Sequence, residues 1–200
     1  MKKALKHLYK KDTIFKKIVD QFGVPQIPSR PQGFATLVLL ILEQQVSINS
    51  AKATFIKLKN AVAEMTPQFL LNWPDENFKA AGVSRQKTSY VKELSAAVLT
   101  EKLNIESLAN KTAAEVRCEL IQIKGIGNWT IDVYLMFCLN AEDIIPLGDI
   151  AIVNTIKELL HITDRSAMEN RAALWSPHRS LATFLLWHYY LRKRNRTVEY

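Results

Sequence analysis

The side chains best suited to chemistry lie within Leu120–Ile152, LIQIKGIGNWTIDVYLMFCLNAEDIIPLGDIAI. Asp149 follows a Pro-Leu-Gly turn and precedes an apolar helical run, the place of a helix N-cap. A helix N-terminus favours a carboxylate in its charged form. Such an anion stabilises positive charge developing on a reacting carbon, and it also orients or deprotonates an attacking water. A simple helix cap is the bland alternative, and the two roles are compatible. Upstream, Lys124-Gly125-Ile126-Gly127 has the pattern of a tight hairpin, because glycine lets the backbone turn sharply and approach another surface. The helix opening at Asn128-Trp129-Thr130 aims free N–H groups at that surface, which suits a phosphate. Asp149 follows Trp129 by 20 residues, room for one helix and a loop returning to the same end of the hairpin. The hairpin reads as the part that holds nucleic acid, and Asp149 as the part that does chemistry.

The elements that must position these residues are helical. Apolar residues recur at threes and fours across Lys2–Phe22, with Gly23 in the C-terminal position. Phe34–Leu42 is apolar nearly all round and predicts a buried helix. Ser47 or Asn49 starts a helix through Ala63, Thr66-Pro67 and Trp73-Pro74-Asp75 start two short ones, and Ser84–Leu99 is amphipathic. Thr112–Ile123 leads into the hairpin and Asn128–Leu139 leaves it. Asp149–Leu160 and a short helix over Ser166–Leu174 follow, and Ser176-Pro177 caps and opens the last, to Arg194. Nothing alternates with period two, so the chain is all-α.

Four blocks in this order and spacing resemble one family. They are Ile-Leu-Glu-Gln-Gln-Val-Ser at 41–47, the hairpin Ile-Lys-Gly-Ile-Gly-Asn-Trp-Thr, Gly-Asp-Ile-Ala-Ile around Asp149, and Trp-Ser-Pro-His-Arg-Ser…Trp-His-Tyr-Tyr at 175–190. Together they look like the helix-hairpin-helix (HhH-GPD) DNA glycosylases, in particular the 3-methyladenine DNA glycosylase II type, from Arg30 to Leu191. The resemblance implies a two-lobed helical fold with a cleft between lobes and without the extra N-terminal domain of some relatives. Lobe A comprises residues 1–40 plus 141–200, and lobe B residues 45–140 with the hairpin at 120–139.

It also implies a role for each residue. Asp149 becomes catalytic, for hydrolysis of the N-glycosidic bond of flipped-out alkylated purines such as 3-methyladenine and 7-methylguanine. Trp129, Trp187 and Tyr134 form the base pocket, since electron-rich rings attract a purine made cationic by alkylation; Tyr189 is a further candidate, and Val133 stands where an aromatic residue might follow Trp129 by one turn. Trp129 also occupies the position of the lysine that bifunctional relatives use as nucleophile, which predicts a monofunctional enzyme with no lyase step. Gln44 and Gln45, both expected on DNA, fall in the block that supplies the wedge, with Gln45 at the position that fills the gap left by an extruded base. Lys124, Gly125, Ile126, Gly127 and Thr130 are expected on DNA phosphates. Arg179 and Ser180 are expected on the DNA backbone or bracing Asp149. The carbonyls of Ile121, Ile123 and Gly125 match a monovalent cation site, for Na+ or K+, that bridges protein and phosphate.

Composition fits this reading. A net charge of +8 favours a polyanionic partner, and residues 1–60 carry eleven Lys/Arg against three acids, although a charge surplus is also an ordinary solvated face. Cys118 and Cys138 are too few for a disulfide framework or for a four-cysteine iron–sulfur cluster, and their apolar neighbours suggest buried thiols. The histidines show no metal-ligand spacing. The basic N-terminus has no apolar signal core, and Phe34–Leu42 is too short to span a bilayer. The expected protein is a cytoplasmic monomer (nucleoid-associated if bacterial) acting on double-stranded DNA that contains damaged bases, with no membrane partner. The rival readings are a non-catalytic helix-hairpin-helix DNA-binding module, a glycosylase for oxidised or mismatched bases, and a basic helical scaffold. Salt-sensitive binding without base release marks the first.

Overall fold

Apolar residues at helical spacing become α-helix throughout the computed structural model, which describes residues 1–196. The helices are α1 (Lys2–Lys11), α2 (Thr13–Phe22), α3 (Phe34–Glu43), α4 (Ile48–Ala61), α5 (Pro67–Asn72), α6 (Asp75–Ala80), α7 (Arg85–Leu99), α8 (Ala113–Leu120), α9 (Asn128–Phe137), α10 (Ile150–Leu160), α11 (Arg165–Ala173) and α12 (Arg179–Lys193). A 3-10 helix over Glu106–Asn110, not foreseen in the sequence, precedes α8. No strand occurs among the described residues, and no described helix is long and apolar enough to cross a membrane.

Many boundaries are set by side chains that satisfy orphan amides. Ser47 accepts from the Ser50 amide, Thr66 from Phe69 and Ser84 from Lys87. Thr112 and Glu115 form a reciprocal capping box at α8. Two boundaries depart from the sequence reading. The single helix expected over Lys2–Phe22 is broken at Asp12, which is extended (φ −154°) and 4% exposed. Its carboxylate accepts from Arg171 Nε at 2.7 Å and Trp175 Nε1 at 3.4 Å, partners that hold it out of helical register. The last helix starts after His178 instead of at Ser176-Pro177, because the Ser176 hydroxyl donates to Asp143 and caps nothing.

The chain divides into two compact units, one comprising Met1–Ser29 with the chain from Asn140 onward, the other Arg30–Leu139. Residues 30–40, expected in the first lobe, thus belong to the second. In the first unit, Leu8, Phe15, Ile18, Ile152, Ile156, Trp175, Leu185 and Leu186 form a core drawn from α1, α2, α10 and α12 with Trp175. In the second, Leu37, Val38, Leu40 and Ile41 bury α3 on all sides. Burial on this scale contributes about 1.5–3 kcal/mol per large apolar side chain. The second unit also encloses an ion pair: Arg30 donates to both Glu43 oxygens at 2.8 Å, with both side chains under a tenth exposed. The Arg30 amide donates to the Phe137 carbonyl at 2.8 Å. Cys138 is half-buried, and burial pushes its thiol up to about 12 against the opposing pull of Arg30. Cys118, expected to be buried, is exposed: it lies between Arg117 and Glu119, on the outer face of α8.

Candidate active site

Asp149 is the N-cap of α10, and its side chain is held from two directions. Oδ1 accepts the amides of Ala151 at 2.8 Å and Ile152 at 3.0 Å, the ordinary capping pattern. The same oxygen accepts Trp187 Nε1 at 3.2 Å. Three N–H dipoles therefore converge on one oxygen of a half-buried carboxylate. Trp187 is itself half-buried on α12, with the Phe184 ring 6.0 Å away. Asp149 and Trp187 were both expected in the site, and this unit brings them together.

Arg179 and Ser180, expected on DNA or bracing Asp149, bond the loop that leads to Asp149 and not its carboxylate. Arg179 forms a bidentate pair with Asp143, Nε at 2.8 Å and Nη2 at 2.9 Å. Ser180 is 4% exposed and bonds the loop at Ala141, Glu142 and Ile144. Tyr189 likewise serves structure, donating to Glu158 and lying 5.9 Å from the Phe22 ring.

In the other unit, the hairpin between α8 and α9 depends on one of its glycines. Gly125 adopts φ +93°, and a Cβ there would fall 2.1 Å from Cγ of Tyr90. No other residue fits without moving that ring. Gly127, the N-cap of α9, has φ −98° and open space where its Cβ would be, so the fold itself does not demand glycine there. Ile126, expected on DNA, is 2% exposed and its side chain anchors the hairpin from within. Thr130 is 1% exposed and also points inward, its hydroxyl engaged by Gln44. Gln44, a DNA-binding candidate beside the wedge position, donates its amide to the Gly125 carbonyl at 2.8 Å and to Thr130 Oγ1 at 3.0 Å. It clamps the end of α3 to the hairpin. Gln45 alone carries the exposed position, with a left-handed φ of 58°.

Lys124 is exposed, with Glu93 at 3.8 Å as a loose neighbour. Trp129 is half-buried in the first turn of α9. Tyr134, expected in the base pocket, is fully buried. Its hydroxyl has no hydrogen-bond partner of good geometry among the described residues, and burial raises its pKa far more than the Gly33 backbone lowers it. Of the carbonyls matched to a cation, that of Ile123 accepts the Ile126 amide at 3.0 Å and that of Gly125 accepts Gln44. Each retains a second lone pair, so the set remains compatible with a monovalent ion.

With this geometry in place, the comparisons with known proteins are decisive. The model of the HhH-GPD superfamily of base excision DNA repair proteins matches residues 38–179. The chain belongs to that superfamily. It is 27% identical over 178 residues to DNA-3-methyladenine glycosylase 1 of Schizosaccharomyces pombe, covering 86% of this chain and 78% of that protein. The alkylbase DNA glycosidase-like protein mag2 of the same yeast is 25% identical, over 93% of this chain and 92% of its own. Among solved structures, the DNA-3-methyladenine glycosidase of Bacillus halodurans is similar with a TM-score of 0.81 at 28% identity, covering 96% of this chain and 91% of that one. The S. pombe 3-methyladenine DNA glycosylase in complex with abasic DNA is similar with a TM-score of 0.82 at 26% identity, covering 92% and 95%.

Within this HhH-GPD protein, sequence reasoning missed Tyr90 and Asp143. Tyr90 fills the space that Gly125 leaves open, and nothing in its helical register announces that. Asp143 looks like one more acid in the polar loop Ala141-Glu142-Asp143, yet it takes up the arginine expected on DNA.

Proposed function

We propose that this protein is a monofunctional base-excision repair glycosylase that hydrolyses the N-glycosidic bond of alkylated purines, such as 3-methyladenine and 7-methylguanine, in double-stranded DNA. The observation that carries the proposal is the Asp149 carboxylate, fixed at the N-terminus of α10 by two amides and the Trp187 indole. As the C1′–N bond breaks, its electron pair goes to the base nitrogen and cancels the positive charge that alkylation placed there. C1′ becomes oxocarbenium-like, and a preorganised anion stabilises it with no reorganisation at the moment of reaction. Water then adds to C1′, and its proton passes to the carboxylate or to solvent. A cationic base is already a good leaving group, so the reaction does not require a separate general acid. Trp129 stands where a lyase lysine would be needed, so the product is an intact abasic site. The names of the similar yeast and bacterial proteins support the substrate class.

On this reading the hairpin holds the duplex through backbone amides around Gly127 and the exposed Lys124. A monovalent cation on the carbonyls of Ile121, Ile123 and Gly125 would join hairpin and phosphate without entering the chemistry. Gln45 enters the space vacated by the extruded base, and Trp187, beside Asp149, recognises that base. The protein acts as a monomer.

The test is to incubate the protein with methylated duplex DNA and quantify released bases, with Asp149→Asn in parallel. Release by the wild type and loss in the variant support the assignment; full release by Asp149→Asn would falsify it.

A further inference from the structure

The loop from Asn140 to Asp149 has no regular structure of its own, yet one face of α12 bonds it almost residue by residue. Arg179 binds Asp143 through Nε, Nη2 and its backbone amide, and the Ser176 hydroxyl closes the same carboxylate at 2.8 Å. The Ser180 amide reaches the Glu142 carbonyl at 3.0 Å. Its hydroxyl donates to the Ala141 carbonyl at 2.6 Å and accepts the Ile144 amide at 3.0 Å. Thr183 Oγ1 lies 3.2 Å from the Ile144 carbonyl. Trp187 completes the series on Asp149 itself. Residues 179, 180, 183 and 187 fall within an arc of about 100° on the helix, a single stripe.

The first turn of a helix is an anion site, and here the anion is the chain's own Asp143. The donors expected to face DNA are spent on fixing the loop. From α11, Arg165 adds a bond to the Leu147 carbonyl.

We infer that Asp143, Arg179 and Ser180 are positioning residues for the reaction: they set the register of the loop against α12 and so the place at which Asp149 meets Trp187. The inference rests on the proposed catalytic role of Asp149. Ser180 is the keystone, because its hydroxyl serves a part-buried backbone donor and a part-buried backbone acceptor at once. Without it the loop keeps its sequence but loses its fixed spacing from α12. Reacting groups displaced by about 1 Å lose on the order of 100-fold in rate.

The experiment uses the full-length protein with Ser180→Ala and, as a variant at a partly exposed site that folds readily, Asp143→Asn. Three quantities are measured at 25 °C: single-turnover base release, affinity for an abasic duplex, and amide hydrogen exchange at Ala151 and Ile152. Those amides report the Asp149 carboxylate bond directly. The expected result is release slowed about 10- to 100-fold, affinity within about twofold, and exchange at both amides accelerated. Unchanged release and exchange in both variants, with only the melting temperature lowered, overturns the inference, because that pattern is what mere stabilisation produces. If Ser180→Ala does not fold, Asp143→Asn decides alone. If the wild type releases no base, the glycosylase reading fails, and exchange at Ala151 and Ile152 still decides whether the loop is held in this way.

Discussion

The indole N–H of Trp187 ends on Oδ1 of Asp149, the oxygen that the Ala151 and Ile152 amides also reach. A tryptophan expected to act through its face toward a cationic base therefore also acts through its edge, on the carboxylate. Trp187→Phe separates the two roles, since it keeps an aromatic face and removes the donor. A hydrogen bond to a charged group contributes about 1.5–3 kcal/mol. Single-turnover release should accordingly fall by roughly 10- to 100-fold, and the melting temperature should fall by several degrees because the same bond is lost to the fold.

Asp149→Asn should dissociate catalysis from folding. Asparagine caps a helix about as well as aspartate, so stability should stay within about 0.5 kcal/mol in a denaturant titration. Base release should be lost. Asp149→Ala should lose release and also about 1 kcal/mol of stability, having no cap.

The two hairpin glycines should behave oppositely. Gly125→Ala places a methyl 2.1 Å from the Tyr90 ring at a left-handed φ, and should cost about 2 kcal/mol or more. Gly127→Ala has room and an ordinary φ, so thermal stability should hold while affinity for duplex DNA falls. Equal stability losses in the two variants would contradict this division of labour.

Neighbouring glutamines should divide in the same way. Gln44→Ala frees the Gly125 carbonyl and Thr130 hydroxyl and should cost about 1 kcal/mol. Gln45→Gly relieves a left-handed backbone and should stabilise by up to about 1 kcal/mol, while impairing release from duplex DNA. Excision from single-stranded substrate, where no gap opens, should be affected less.

Asp143 gives the fold a defined acid dependence. Burial pushes its carboxyl up, but bonds from Arg179 and Ser176 prevail and hold it below the ordinary aspartate value. As pH falls the unfolded chain binds the proton first, so the stabilisation is complete above the unfolded pKa near 4 and is lost through the lower folded value. At pH 7, Asp143→Asn should be less stable by about 1 kcal/mol, a modest figure because the pair is partly exposed. Melting curves of the two proteins should converge once the pH is below the ordinary aspartate range.

What the sequence made legible was local. Ser47, Thr66, Ser84 and Thr112 cap helices where their residue types say they should, and Asp149 caps α10 for the same reason. The local geometry was legible where a local rule and a family block coincided, as in the turn at Gly125 and the helix cap at Asp149. What escaped depends on partners far along the chain. Asp12 breaks a continuous apolar period because Arg171 holds it from 159 residues away. A helix start such as Arg179-Ser180 looks the same in sequence whether its anion is a phosphate or Asp143, 36 residues earlier. Thr130 and Ile126 sit in the block expected to bind DNA, yet a tight turn must bury some of its own side chains to keep its shape, and no spacing rule names which.

The second unit begins and ends at one point. Its first residue, Arg30, donates its amide to Phe137 near its last, and the Arg30 guanidinium is bound inside to Glu43. A stretch whose two ends meet behaves as an insert: it can be lifted out of one open reading frame and spliced into another without stretching its own backbone. Residues 30–139 are thus the natural cassette for building chimaeras, carrying the hairpin whole between two cut sites that already touch. The lock on that cassette is the ion pair, and breaking one half of a buried pair costs about 3–5 kcal/mol.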